Sequence, residues 1–294
     1  MSETDSFRPR RSCLYMPAAN PRALEKAQTL PADMLVFDLE DAVAPDAKTE
    51  ARAAVAAAVR TRAYGHREVL VRINALESEW GRADMDAVLA ASPDGILLPT
   101  VSSAAQVRAA DQLRKAAGSA AGLWAMIETP LAILNIQEIA AAAGETALAG
   151  LVVGTNDLAK ELTALPDASR SAFQTHLALT LAAARAYGLL AIDGVYNDFR
   201  DPVGLEAECV QGRTLGFDGK SLIHPAQLEV ANRVFAPEPE AVAEARAIVA
   251  AFDLEANQNK GVIRVNGKMV ELLHLEQARR LITVAKAIEA FAPR

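Results

Sequence analysis

At 294 residues, 51% hydrophobic and 23% charged, the chain has the composition of a soluble globular protein long enough for one large α/β domain with an appendage, or for two smaller domains. A formal net charge of −7 argues against an electrostatic grip on nucleic acid over the whole surface. No apolar run reaches the roughly 18 residues of a membrane span, and the opening MSETDSFRPRRS lacks the apolar middle of a secretion signal, so the expected compartment is the cytoplasm.

In chain order, apolar runs ending in charged or strongly polar residues predict strands starting near Cys13, Leu35, Val69, Ile96, Leu123, Leu151, Leu190 and Phe217. Asn20 before Pro21 predicts a capped helix through Lys26. Further amphipathic helices are expected over Ala47 to Arg60, Trp80 to Ala91, Ser103 to Ala117, Pro130 to Ala143 and Ser169 to Tyr187. Eight strands alternating with helices favour a closed (β/α)8 TIM barrel over an open sheet, with the polar strand endings gathered on the face where such barrels do chemistry. The rhythm changes after residue 235: an acid-capped helix over Ala236 to Asn257, a hairpin turning at Asn266-Gly267, and a last helix over Leu272 to Phe291. The expected organisation is therefore α/β, a barrel over residues 1–235 and a C-terminal helix-hairpin-helix extension over residues 236–294. The extension reads as a lid, as an arm on a neighbouring subunit, or as simple capping of the barrel.

Glu128 ends an apolar strand and Asp157 lies just beyond the next, in GTND. Two such carboxylates can hold a hard divalent cation, since magnesium takes one or two carboxylates and leaves other positions to water and substrate. The competing reading has Asp157 capping a helix that begins near Leu158 and Glu128 pairing with an arginine. Arg72, between apolar neighbours in VRIN, needs an anion, which a substrate carboxylate or a salt bridge to Asp38, Glu40 or Asp41 would supply. Of those three acids in FDLED, at least one is expected to orient water around a metal without touching the metal. Lys220 in GFDGKSLIHP, and Arg10, Arg11, Ser12 and Lys26 around the first strand, could grip a phosphorylated ligand; a solvated basic patch is the plainer reading of the latter group. Tyr15, Trp80 and Trp124 are expected to pack. Cys13 and Cys209 share no metal or redox spacing and are expected to be buried, and the four histidines form no zinc pattern.

Read together, RSCLYMPAANPRALEKA, FDLEDAVAPDAK, VRINALESEWG, GILLPTV, MIETPLAILN, GTNDLAKEL, GFDGKSLIHPAQ and NGKMVE resemble the citrate lyase β-subunit-like CoA-ester lyases of the HpcH/HpaI aldolase group. The motifs run in order from Arg11 to the final helix. The resemblance implies magnesium, or manganese in its place, held by Glu128 and Asp157. It implies substrate carboxylate held by Arg72, with Asp38, Glu40 and Asp41 near the metal's water network. Arg11, Ser12 and Lys26 would contribute to binding CoA, and the extension would reach a neighbouring protomer in a homotrimer or hexamer. Many relatives place an aspartate after the hairpin, in a pattern like MVD-x-P, and supply it to the next active site. Here the stretch is MVELLH, so Glu271 would take that catalytic role with an added methylene and without the proline.

The implied reaction is reversible Claisen-type cleavage of a 3-hydroxyacyl-CoA, of malyl-CoA or citramalyl-CoA type, to an acyl-CoA and a 2-oxoacid. Magnesium would chelate the hydroxyl and adjacent carboxylate, with Glu128 and Arg72 facing the substrate. Two other enzymatic outcomes share the site: a citrate lyase β subunit working on a thioester carried by an acyl-carrier protein, and a malyl-CoA thioesterase. The non-enzymatic alternative is a carboxylate- and CoA-binding barrel that has lost turnover.

Overall fold

The eight apolar runs fold as eight parallel strands, β1 to β8, which close on themselves in sequence order. They are β1 Ser12–Pro17, β2 Met34–Asp38, β3 Glu68–Arg72, β4 Gly95–Leu98, β5 Gly122–Ile127, β6 Leu148–Val153, β7 Leu190–Asp193 and β8 Gly219–Leu222. The computed structural model describes residues 7–291. The barrel helices are α1 Pro21–Ala27, α2 Lys48–Arg60, α3 Gly81–Ala91, α4 Ala104–Ala116, α5 Pro130–Leu134, α6 Ile136–Ala141, α7 Thr155–Leu162, α8 Gln174–Ala186, α9 Pro202–Leu215 and α10 Leu228–Val234. The expected (β/α)8 barrel is thus the fold.

Period-two alternation along the strands separates two apolar layers. Residues such as Cys13, Val36, Leu70, Trp124, Met126, Val152 and Ile192 fill the barrel interior. A larger set, including Leu14, Phe37, Val71 and Leu123, packs between strands and helices. Both cysteines are free and buried. Asn20 caps α1 as expected, accepting from the Ala23 N–H at 3.2 Å with Pro21 opening the helix.

The expected single helix over Pro130 to Ala143 is instead two short ones. Asn135 leaves helical geometry between them, at φ −104° and ψ 12°, and its side chain donates to the Ser102 carbonyl at 2.9 Å. The helices α9 and α10 were not among the expected elements, and α7, expected only in the alternative that starts a helix near Leu158, begins at Thr155. Both α7 and α9 start inside polar stretches, GTND and FRDP, that read equally well as turns.

Arg10–Phe235 form one compact unit; the second comprises the described parts of Ala236–Arg294 and Phe7–Pro9. In it, α11 Pro239–Asp253 and α12 Leu272–Phe291 flank the antiparallel strands β9 Val262–Val265 and β10 Lys268–Glu271. The hairpin turns where expected. Asn266 and Gly267 both take positive φ, 49° and 81°, the geometry that makes this dipeptide a favoured tight turn. Apolar residues Phe252, Ile263, Val270 and Leu275 make a small core of their own. Among the described residues, no helix is long and apolar enough to cross a membrane.

Candidate active site

Strand register brings the acids and the arginine together. Pro17 lies opposite Asp38, and Asp38 opposite Arg72, so the C-terminal ends of β1, β2 and β3 form one row at the barrel mouth. Arg72 donates from Nε to Asp38 Oδ1 at 2.8 Å and from Nη2 to Oδ2 at 2.7 Å. Its Nη1 lies 2.9 Å from Glu40 and its Nη2 lies 3.1 Å from Asp41. Burial pulls the guanidinium's pKa down, but the paired Asp38 carboxylate outweighs it, and the net shift is upward. Asp38 is fixed in turn by the N–H groups of Glu40 and Ala42. Both partners foreseen for Arg72 are therefore compatible: the salt bridges form, and the residue still lines a cavity of about 440 Å³ at the mouth.

Lys48 holds the acidic loop from behind. Its ammonium donates to the carbonyls of Leu39 and Glu40 at 2.8 and 2.6 Å and to Asn74 Oδ1 at 2.7 Å, with Trp80 beneath it at 5.1 Å.

Glu128 follows β5, and Gly154 follows β6 beside it. Glu128 Oε1 accepts from the Thr100 N–H at 2.6 Å. Thr100 has φ 47°, an unfavourable conformation for a β-branched residue that turns this N–H onto the carboxylate. Oε2 is buried and has no hydrogen-bond partner. The Glu128 pKa is raised to about 7, chiefly by burial and with the charges of Asp157 and Asp41 adding to it, against the pull of Thr100 and Arg72. Glu40 stands at about 8, raised chiefly by burial against the pull of Arg72, with Glu128 adding to the rise. Asp157 lines the cavity from the first turn of α7, which begins at Thr155, so it is not the cap of a helix starting at Leu158.

These features fit a hard divalent cation. The donors are two carboxylates, one with an orphaned buried oxygen, and the Glu128 charge, disfavoured chiefly by burial and further by Asp157 and Asp41, is one that a cation would stabilise. Among the described residues, no cluster of three or more metal-ligating side chains encloses the position, so a cation there would need water or substrate to complete its shell.

Several expected site residues lie elsewhere. Arg11 and Ser12 stand at the N-terminal end of β1, opposite the mouth. Arg11 is tied to Asp33 by two 2.8 Å contacts from its guanidinium, and Ser12 Oγ accepts from the Asp33 N–H at 3.1 Å. Neither residue lines the cavity at the mouth. Lys26 is exposed in the last turn of α1 and does not line the cavity. Lys220 is corrected as a grip for a phosphorylated ligand: it is 0% exposed, faces away from the barrel interior, and donates to the Gly194 carbonyl at 2.6 Å and Glu208 at 2.7 Å. Glu271 is exposed on β10 in the second unit, its N–H donating to His274 Nδ1 at 3.0 Å.

Other site residues were missed. Tyr15, expected to pack, lines the cavity with the Arg72 guanidinium 5.1 Å from its ring centre. Thr155, Asn156 and Ser221 line it too. The inward alternation of β1 and β8 would have found Tyr15 and Ser221; no comparable signal marks Asn156.

A (β/α)8 barrel with a carboxylate pair and a clamped arginine at its mouth has the fold and the site of a barrel enzyme. Residues 11–225 match HpcH/HpaI aldolase/citrate lyase, and the chain belongs to that family and is an enzyme of its kind. It is similar to a (3S)-malyl-CoA thioesterase of Cereibacter sphaeroides (strain ATCC 17029 / ATH 2.4.9), 51% identical over 283 residues that cover 96% of this chain and 97% of the relative. It is also similar to citrate lyase subunit beta of Escherichia coli (strain K12), 37% identical over 290 residues, 95% of this chain and 94% of the relative. Among solved structures, it resembles the protein CitE from Mycobacterium tuberculosis in complex with magnesium, acetoacetate and coenzyme A, at 30% identity and a TM-score of 0.75, covering 94% and 97% of the two chains.

Proposed function

We propose that this enzyme binds magnesium through Glu128 and Asp157 and hydrolyses a short 3-hydroxy-dicarboxylic thioester of CoA, (3S)-malyl-CoA, to malate and free CoA. The observation that carries the metal and substrate class is the buried, unpartnered Oε2 of Glu128 beside a cavity lined by Asp157 and Arg72. The thioesterase outcome draws on the 51% identical relative, which aligns over nearly the full length of both chains.

When bound, magnesium supplies a positive charge that orients a hydroxyl and carboxylate and stabilises negative charge developing on oxygen. The chain's own groups do the rest. Arg72, held rigid by Asp38 and with its Nη1 shared between Glu40 and the Met126 thioether, lines the cavity, where its charge can steady a carboxylate. Hydrolysis adds water to the thioester carbon and breaks the carbon–sulfur bond, one proton of that water passing to the departing CoA sulfur and the other leaving with the malate carboxyl group.

A second reading is carbon–carbon cleavage of the same substrate, of malyl-CoA or citramalyl-CoA type, to an acyl-CoA and a 2-oxoacid. The 37% identical citrate lyase subunit supports it, and the same carboxylate pair and arginine would serve. In this reading the chain assembles as a homotrimer or hexamer, and Glu271 serves as acid or base in a neighbouring copy's site.

Product analysis with malyl-CoA and citramalyl-CoA, with and without magnesium, decides the matter. Free CoA with malate supports hydrolysis, and acetyl-CoA with glyoxylate or pyruvate supports the lyase. Conversion only with an acyl-carrier protein indicates a citrate lyase subunit, and binding without conversion leaves a ligand-binding barrel. Glu128→Ala should abolish either reaction, and an unchanged rate in Glu271→Gln would remove that residue from the mechanism.

A further inference from the structure

One wall of the cavity is polar for no reason that the carboxylate site supplies. Ser221 on β8 is 1% exposed and lines the cavity, and its Oγ has no hydrogen-bond partner. A buried hydroxyl left unpaired is unfavourable, and such a group in a native protein calls for an explanation. Nothing in the packing requires it: Ile192, also inward on the adjacent strand, shows that this interior accepts apolar side chains.

Ser221 does not stand alone. Strand register sets it opposite Cys13 of β1, so Tyr15, two residues along, shares its inward face one step nearer the mouth. Among the described residues the Tyr15 hydroxyl meets only the Met126 thioether, at 3.7 Å, a weak acceptor. Burial keeps that hydroxyl protonated. The acids that line the cavity, Asp38, Asp41 and Asp157, follow β2 and β6, whereas the β8 and β1 wall contributes no carboxylate to the lining. Two neutral donors on a wall without acids, with Arg72 over the Tyr15 ring, favour an incoming anionic oxygen.

We infer that Ser221 and Tyr15 form a hydroxyl wall that hydrogen-bonds the carboxylate of the 2-hydroxyacid head of the substrate, with Ser221 a specificity-determining residue. The inference rests on the reading that the substrate is a hydroxyacyl thioester, but it concerns binding of the acid head and not the fate of the thioester. Shape also matters. Ser221 lies deep in the wall, so it meets the end of the substrate that enters first, and the bulky CoA portion must trail toward solvent.

The test is calorimetric titration of (S)-lactate and of (S)-malate, each with magnesium chloride present, into wild type, Ser221→Ala and Tyr15→Phe. Lactate carries the hydroxyacid head alone, whereas malate adds the second carboxylate where the thioester would be. Ser221→Ala should weaken both acids about fivefold to tenfold, and Tyr15→Phe should weaken both by a smaller factor. Affinity for magnesium chloride alone should not change. The melting temperature of Ser221→Ala should hold or rise, because an unpaired hydroxyl has been removed; a merely structural serine would lower it. Unchanged affinities, a loss confined to malate, or failure of wild type to bind either acid would each overturn the inference. Wild type that binds both acids through Ser221 yet leaves malyl-CoA intact would sink the proposed reaction while this inference stands.

Discussion

Gly154 and Glu128 are in contact by virtue of strand register: Ile127 pairs with Val153, and the residue that follows each lies beside the other at the barrel mouth. A Cβ at Gly154 would stand 2.4 Å from Glu128 Oε2 and 2.5 Å from its Cβ. With φ −102°, the backbone of Gly154 needs no special freedom, so what the position requires is space.

Gly154→Ala should therefore push the Glu128 carboxylate out of place while leaving the barrel folded. Overpacking of this kind costs about 1–3 kcal/mol of stability. Magnesium affinity should fall about tenfold or more, read by calorimetry, with turnover falling in parallel. Wild-type magnesium affinity in this variant would show that Glu128 does not hold the ion.

The raised carboxyl pKa values set a pH dependence with a definite sign. Glu128 and Glu40 rise from 4.5 to about 7 and about 8. Over that interval the folded chain binds more protons than the unfolded one, so stability is highest at low pH and is lost as pH rises through the folded values. The melting temperature of the metal-free protein should decline between about pH 5 and pH 8, and magnesium chloride should restore it at the upper end. Glu128→Gln should remove the magnesium response and make the decline between about pH 5 and pH 7 shallower, leaving Glu40's share; a metal-free melting temperature indifferent to pH would contradict this account.

Arg72 is a fork between strands, and a lysine cannot reproduce it. The two bonds to Asp38 use Nε and Nη2, while Nη1 reaches Glu40 at 2.9 Å and the Met126 thioether at 3.6 Å. Arg72→Lys should lower kcat/KM about 100-fold, because a displaced point charge no longer aligns the substrate. Steady-state kinetics on the substrate that wild type converts will check it.

Lys48 positions the acidic loop from a distance. Lys48→Met leaves the Asn74 side-chain oxygen without a donor and takes one donor each from the Leu39 and Glu40 carbonyls, which keep Asn74 Nδ2 at 3.0 Å and the Val43 N–H at 3.3 Å. An unsatisfied buried group of this kind costs about 1–3 kcal/mol before relaxation, so urea denaturation should show a clear loss of stability. The rate should fall with it, since Glu40 would be released from its place beside Arg72. Unchanged stability would mean that water replaces the ammonium without cost.

The amino-acid sequence by itself determined the strand count, the alternation with helices and the hairpin. These depend on local features: apolar runs of strand length, Asn20 before Pro21, Asn266 before Gly267. It also marked Arg72, Glu128 and Asp157, because a charged group at the end of an apolar run demands a partner wherever the chain goes. Other outcomes depended on neighbours far along the chain. Arg11 was claimed by Asp33 and Lys220 by Gly194 and Glu208, contacts that no local pattern announces. Which of Lys220 and Ser221 faces the cavity was settled when β8 closed against β1, since alternation supplies two faces and only closure chooses the inner one. The break at Asn135 likewise required the Ser102 carbonyl, and the positive φ of Thr100 comes with an N–H turned onto Glu128. Local chemistry thus chose the elements and named several reactive groups, whereas register and closure decided which of those groups share one cavity.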